Sequence, residues 1–207
     1  MKGNMESTTI TVTELIEQGI SDAYTYQEYK GLVSSLLTEN KSTGHEQSEA
    51  LTNYSMLNDR RMKRLDKTLK INESVKEAFA NASTKVTWLV LTEGWCGDAA
   101  QSLPMINKLA ELNQGIDLKI ISRDDHDELM NNFLTNGGKA IPKLLVYDTQ
   151  NKKVVNSWGP RPSVATQMVA EYKEQHGGLD AQFKEDLQLW YNKDKGVNIA
   201  EDLLEIL

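Results

Sequence analysis

Apolar positions along the chain change period several times, and each change marks an element. Tyr26, Tyr29, Leu32, Val33, Leu36 and Leu37 recur at helical spacing, which predicts an amphipathic helix over Tyr24 to Glu39. Before it, Thr13 stands where it could cap a short helix ending at Gly19. After a polar break at Asn40 to Gly44, Leu51, Tyr54, Met62, Leu65 and Leu69 give a longer helix with one apolar stripe. Its other face carries Arg60, Arg61, Lys63, Arg64, Lys67 and Lys70, the composition of a solvated helix surface. A short helix from Asn72 or Ser74 to Ala82 then leads to a different pattern. Val86 to Leu91 is a short apolar run without charge, rich in β-branched residues, and reads as a buried strand.

Glu93-Gly94 breaks that run, and a helical sequence begins directly after Trp95-Cys96-Gly97-Asp98. Ile116 to Ser122 forms the second strand, so two strands joined by one helix should lie parallel with a right-handed crossover. The acidic run from Asp124 to Asp127 suits the start of a helix reaching about Thr135. Leu144 to Tyr147 and Val154 to Trp158 flank a turn at Asp148 to Asn151 and predict a hairpin. Pro142 must therefore sit at a strand start or an edge, where no ladder donor is lost. A helix over 163 to 176 closes this part. Leu179 to Tyr191 and Asn198 to Leu207 read as tail helices, packed back on the domain.

Composition narrows the function classes. The 207 residues carry a net charge of -7, which argues against nucleic acid as the main partner. No apolar run approaches the ~20 residues of a membrane span, and the first residues lack the apolar core of a secretory signal. One cysteine excludes an intramolecular disulfide framework and fits a reducing, cytoplasmic address. His126 lies among three aspartates, but His45 and His176 offer no spacing that would complete a metal site, and none is expected.

That single cysteine, Cys96, stands where a buried strand turns into a helix. The first N–H groups of a helix have no internal partner and the dipole favours negative charge there, so the position biases a thiol toward thiolate. At these residues the sequence resembles the thioredoxin family, whose redox site reads Trp-Cys-Gly-Pro-Cys at the same junction. Here it reads Trp95-Cys96-Gly97-Asp98-Ala99. Pro104 matches the family's kink proline, Ala140-Ile141-Pro142-Lys143 its cis-proline segment, and Gly159 a glycine after its hairpin.

The resemblance implies a thioredoxin-like α/β fold, a three-layer sandwich around a mixed four-stranded sheet. It covers roughly residues 73–176, with a helical N-terminal extension over 1–72 and C-terminal helices over 177–207. It also implies a cis Ile141-Pro142 bond beside the thiol, leaving a backbone edge for an extended substrate. Three departures bear on function. Ala99 replaces the resolving cysteine, Val90 stands in place of the family's proton-accepting aspartate, and Asp98 replaces the intervening proline.

Two functions remain open. In one, Cys96 attacks a protein or small-molecule disulfide and an external thiol such as glutathione resolves the product. Trp95, Gly97, Asp98, Ile141 and Pro142 would then flank the bound substrate. Asp98 sits close enough to repel a thiolate, so the pKa should fall less than at a two-cysteine site, and Asp98→Asn should lower it further. In the other, Cys96 is a small buried side chain and the fold binds peptides along the Pro142 edge. Arg123, Lys139, Lys143 and Arg161 are expected near the rim of the site. Glutathione transferases also join a thioredoxin-like domain to helices, but after it, and residues 177–207 are too few for that arrangement.

Overall fold

The computed structural model describes residues 10–207. Four strands, β1 (Val86–Thr92), β2 (Ile116–Ser122), β3 (Lys143–Asp148) and β4 (Lys153–Trp158), form one sheet in the order β2-β1-β3-β4. β1 runs parallel to β2, with Val86 opposite Ile116, and antiparallel to β3, with Val90 opposite Leu144. β3 and β4 form the expected hairpin, with a register shift between Val146 and Tyr147. Beta strands send alternate side chains to opposite faces, and β1 is apolar at both sets of positions because it is covered on both sides. Trp88 and Val90 enter one core; Leu89 and Leu91 enter the other.

The first face carries most of the helices. α2 (Tyr26–Thr38), α3 (Glu49–Thr68), α4 (Glu73–Asn81), α5 (Gly97–Ala110) and α9 (Val197–Glu205) share one cluster with the sheet, through residues such as Tyr29, Met62, Phe79, Leu103 and Ile199. The second face is closed by α1 (Val12–Ser21) and the single turn α6 (Asp127–Met130), through Ile16, Leu129 and Met130. α7 (Ser163–His176) and α8 (Ala181–Asp194) build a small core of their own around Phe183, Leu187 and Tyr191. This is a thioredoxin-like α/β sandwich with helices on both sides of a mixed sheet, and with helices added before and after it.

Local chemistry explains most element boundaries and corrects several expectations. α1 starts two residues earlier than Thr13 suggests, because Thr11 and Glu14 form a reciprocal capping box. It also runs through Gly19, where a Cβ would meet Ile121 at 3.2 Å, so the missing side chain lets the helix lie close on the sheet. Thr25 and Glu28 repeat the capping box at α2, and Asn72 is the cap of α4. The helix expected from Asp124 to Thr135 shrinks to α6. Asp124 donates its backbone N–H to Glu93, Asp127 engages Lys139, and Thr135 closes a tight turn with Gly138. Those partners fix a looped backbone where charge alone suggested a helix.

The start of α7 is held from elsewhere in the chain. Pro162 supplies no cap; instead Asp202 of α9 accepts the Ser163 N–H at 2.7 Å, and Asn198 accepts that of Val164 at 2.9 Å. Asp202 also accepts from the indole N–H of Trp158 at 3.0 Å, which ties the outer strand to the same helix.

Candidate functional site

β1 delivers the chain to the site and α5 leads it away. Between them Glu93-Gly94-Trp95 makes a turn, and Cys96 becomes the N-cap residue of α5. Its sulfur accepts the Ala99 N–H at 3.4 Å. The thiol donates in turn to the Ile141 carbonyl at 3.2 Å, and the Ile141-Pro142 bond is cis, as expected. Opposite, Gly159 has φ +110, and a Cβ there would lie 2.1 Å from the Pro142 carbonyl oxygen. Only glycine permits that approach, which is why a glycine closes the hairpin side of the site. A second cis bond, Gly159-Pro160, was not foreseen.

The helices added to the sandwich cover this junction. Asn58 of α3 donates to the Gly94 carbonyl at 3.0 Å and accepts from Arg61 at 2.6 Å. Gln188 of α8 accepts from Gln101 at 2.9 Å, and Arg64 joins Asn192 across the two helices at 2.8 Å. A Cβ on Gly97 would stand 3.8 Å from both Arg61 and Gln188. The result is an arch of α3 and α8 over the start of α5, beneath which Cys96 is only 8% and Ile141 7% exposed.

Asp98 is the keystone of that arch. Its Oδ2 accepts from Arg161 at 2.8 Å and its Oδ1 from the Tyr191 hydroxyl at 3.0 Å. Burial pushes the Asp98 carboxyl above its ordinary range, against the pull of Arg161 and Tyr191. Trp95 is half-buried, with the Arg123 guanidinium 5.0 Å from its ring centroid. Of the four cations expected at the rim, Arg161 and Arg123 reach it. Lys139 binds Asp127 instead, and Lys143 opens β3 with its ammonium pKa lowered by burial.

The electrostatics reverse one expectation. Burial pushes the Cys96 thiol up to about 12, and the neighbouring Asp98 carboxylate adds to the rise. The Ala99 and Asp98 N–H groups and Arg161 pull the other way without prevailing. Removing water from a thiolate costs more than one helix end returns. In this conformation the sulfur is a protonated donor.

Sequence reasoning grouped Trp95, Cys96, Gly97, Asp98, Ile141 and Pro142, and Cys96 does meet Ile141 across the cis bond. It missed Asn58, Arg61, Gln188 and Tyr191, whose place depends on tertiary packing far along the chain. It also passed over Glu93, read only as a break in pattern. The signal was present: an acid at the end of a strand buried on both faces has little water to meet. His126 Nδ1–H donates to the Ser122 carbonyl at 3.0 Å within its turn. Among the described residues no three His, Cys, Asp or Glu side chains are placed to hold a metal, and no helix is long and apolar enough to cross a membrane.

Comparison with known proteins agrees with this geometry. The family model Thioredoxin_9, described as thioredoxin, matches residues 44–173. A protein of unknown function from Pseudomonas aeruginosa is similar in structure, at 18% identity and a TM-score of 0.61, over 96% of this chain and 97% of its own. An HIV epitope scaffold is similar at 18% identity and a TM-score of 0.54, over 88% and 97%. At such identity the likeness is one of fold, and in the first case it extends over the added helices as well. No curated protein matches the chain. A match over more than half the residues, on the strand, thiol, cis-proline and hairpin just described, places this chain in the thioredoxin family.

Proposed function

We propose that the protein is a monothiol thiol–disulfide exchange protein that works when the arch over Cys96 opens. The observation that carries this reading is the position of the sulfur, at the first turn of α5 and 3.2 Å from the Ile141 carbonyl beside Pro142. A disulfide approaching along that edge would meet the sulfur directly. The Cys96 thiol gives its proton to solvent once uncovered, and the thiolate attacks one sulfur of the incoming disulfide. A mixed disulfide forms, and the other sulfur leaves as thiolate. Ala99 offers no second sulfur. An external low-molecular-weight thiol, of which glutathione is the obvious cytoplasmic example, then attacks the mixed disulfide and releases Cys96.

The substrate is a protein or small-molecule disulfide, with Trp95, Gly97, Ile141 and Pro142 lining its approach and Asp98 controlling access. Burial of Cys96 favours a second reading, a redox-silent member of the fold. That reading predicts no chemistry at the sulfur, while its peptide-binding edge at Ile141 lies under the same cover. Incubation of the native chain with oxidised glutathione separates the two. Exchange predicts one glutathione adduct, absent from Cys96→Ser and released by reduced glutathione, as read by intact mass. Adduct formation only in denaturant would overturn the proposal.

A further inference from the structure

A second feature lies beside the thiol and takes no part in its chemistry. α2, the segment 41–47 and the ends of β1 and β2 enclose a cavity of about 300 Å³. Tyr24, Tyr29, Leu32 and Leu36 form its apolar side, and Glu93 and Ser42 are among its polar lining. Mostly apolar walls with a few convergent polar groups are the usual makeup of a small-molecule site.

Glu93 is 1% exposed. Its Oε1 accepts from the Ser122 hydroxyl at 2.9 Å and from the Asp124 N–H at 3.0 Å. Thr43 lies beside the carboxylate, and its hydroxyl, which accepts the Gly94 N–H at 2.7 Å, keeps an O–H that helps to hold the charge, while burial pushes the Glu93 carboxyl above its ordinary range. Oε2 has no hydrogen bond among the described residues, and neither have the Tyr29 hydroxyl and Ser42 Oγ, from two other elements of the same wall. The polar groups at the mouth have partners already, Lys41 with Glu39 and the His45 ring with Asp125. Glu93 is hydrogen-bonded but has no cationic partner among the described residues, and burial disfavours its charged form.

We propose that this cavity binds a small organic cation, a primary ammonium group on a short apolar body, with Glu93 as its counter-charge. An ionised carboxylate only accepts hydrogen bonds, and an ammonium group offers three N–H donors and no acceptor. Glu93 Oε2 and the Tyr29 and Ser42 hydroxyls are buried oxygens without hydrogen bonds among the described residues, and a small displacement of the wall would let them receive these donors. The two tyrosine rings suit a cation as well as an aliphatic chain, and Leu32 and Leu36 suit the chain alone. The proposal is independent of exchange at Cys96.

The test is a titration of the ¹⁵N-labelled full chain with n-butylammonium chloride, compared with n-butanol and with sodium chloride at equal ionic strength. Saturable amide shifts at Gly44, Gly94 and Asp124 are expected with butylammonium, with affinity at least tenfold above that of butanol. Glu93→Gln should abolish them, and so should Leu36→Trp, which fills the cavity without touching the carboxylate. Should Glu93→Gln not fold, Leu36→Trp decides. Equal binding of butanol, no saturable shift, or binding retained in the folded variant would overturn the proposal.

Discussion

Tyr191 donates its hydroxyl to Asp98 at 3.0 Å across 93 residues of sequence. The phenol comes from a tail helix and the carboxylate from the first turn of the helix that carries the thiol. Together with Arg161, this contact turns the tail into a cover for Cys96. Tyr191→Phe should cost about 1.5–3 kcal/mol, the range for a hydrogen bond to a charged group. It should also raise the alkylation rate of Cys96 severalfold at fixed pH. Thermal unfolding and iodoacetamide kinetics check the two effects separately.

Arg161 and Asp98 form a pair that is mostly removed from water, with side chains 23% and 11% exposed. Breaking such a pair from one side leaves a buried charge, at about 3–5 kcal/mol. Arg161→Met alone should therefore be strongly destabilising. The double change with Asp98→Asn should recover much of the loss, as a denaturant-based double-mutant cycle would read.

Asp98→Asn should make Cys96 more acidic, because it removes a carboxylate that raises the thiol pKa. The thiol should still titrate above an ordinary cysteine, since burial is the larger cause. Alkylation rate against pH measures the midpoint, and an unchanged or higher midpoint would contradict the assignment.

The raised thiol also makes stability depend on pH in one direction. Its pKa climbs from 9.0 to about 12 on folding, so the native state favours the protonated form. That contribution is complete below the unfolded value and is lost as pH rises from about 9 toward 12. Cys96→Ala should thus lose less stability than the native chain over that interval, by chemical denaturation at stepped pH.

Gly159→Ala tests the hairpin side. With φ +110 and a Cβ 2.1 Å from a backbone oxygen, the substitution forces the cis-proline segment to move. A loss of at least about 2 kcal/mol is expected, and an unchanged urea midpoint would show that the approach is not required.

What the sequence made legible was local. The apolar run at β1, the Trp95-Cys96-Gly97 junction and Pro142 before β3 each carry their signal in neighbouring residues, and each stands where expected. The acidic stretch after Ser122 misled because its aspartates serve as side-chain partners for Lys139 and Arg123 instead of helix caps. Cys96 was read with the wrong sign for a related reason. The helix terminus that favours a thiolate is visible in the order of residues, whereas the burial that outweighs it comes from α3 and α8. Nothing in the spacing of Asn58, Arg61 or Tyr191 announces that they meet over one sulfur.

The capping of α7 by Asn198 and Asp202 bears on how the protein comes into being. A chain leaving the ribosome presents the strands, Cys96 and Pro142 before Tyr191 exists, and α7 emerges with its first amides unanswered until α9 follows. During that interval the sulfur lies under α3 but not yet under α8. The thiol thus gains its cover in two instalments, one from a helix made before it and one from helices made after it.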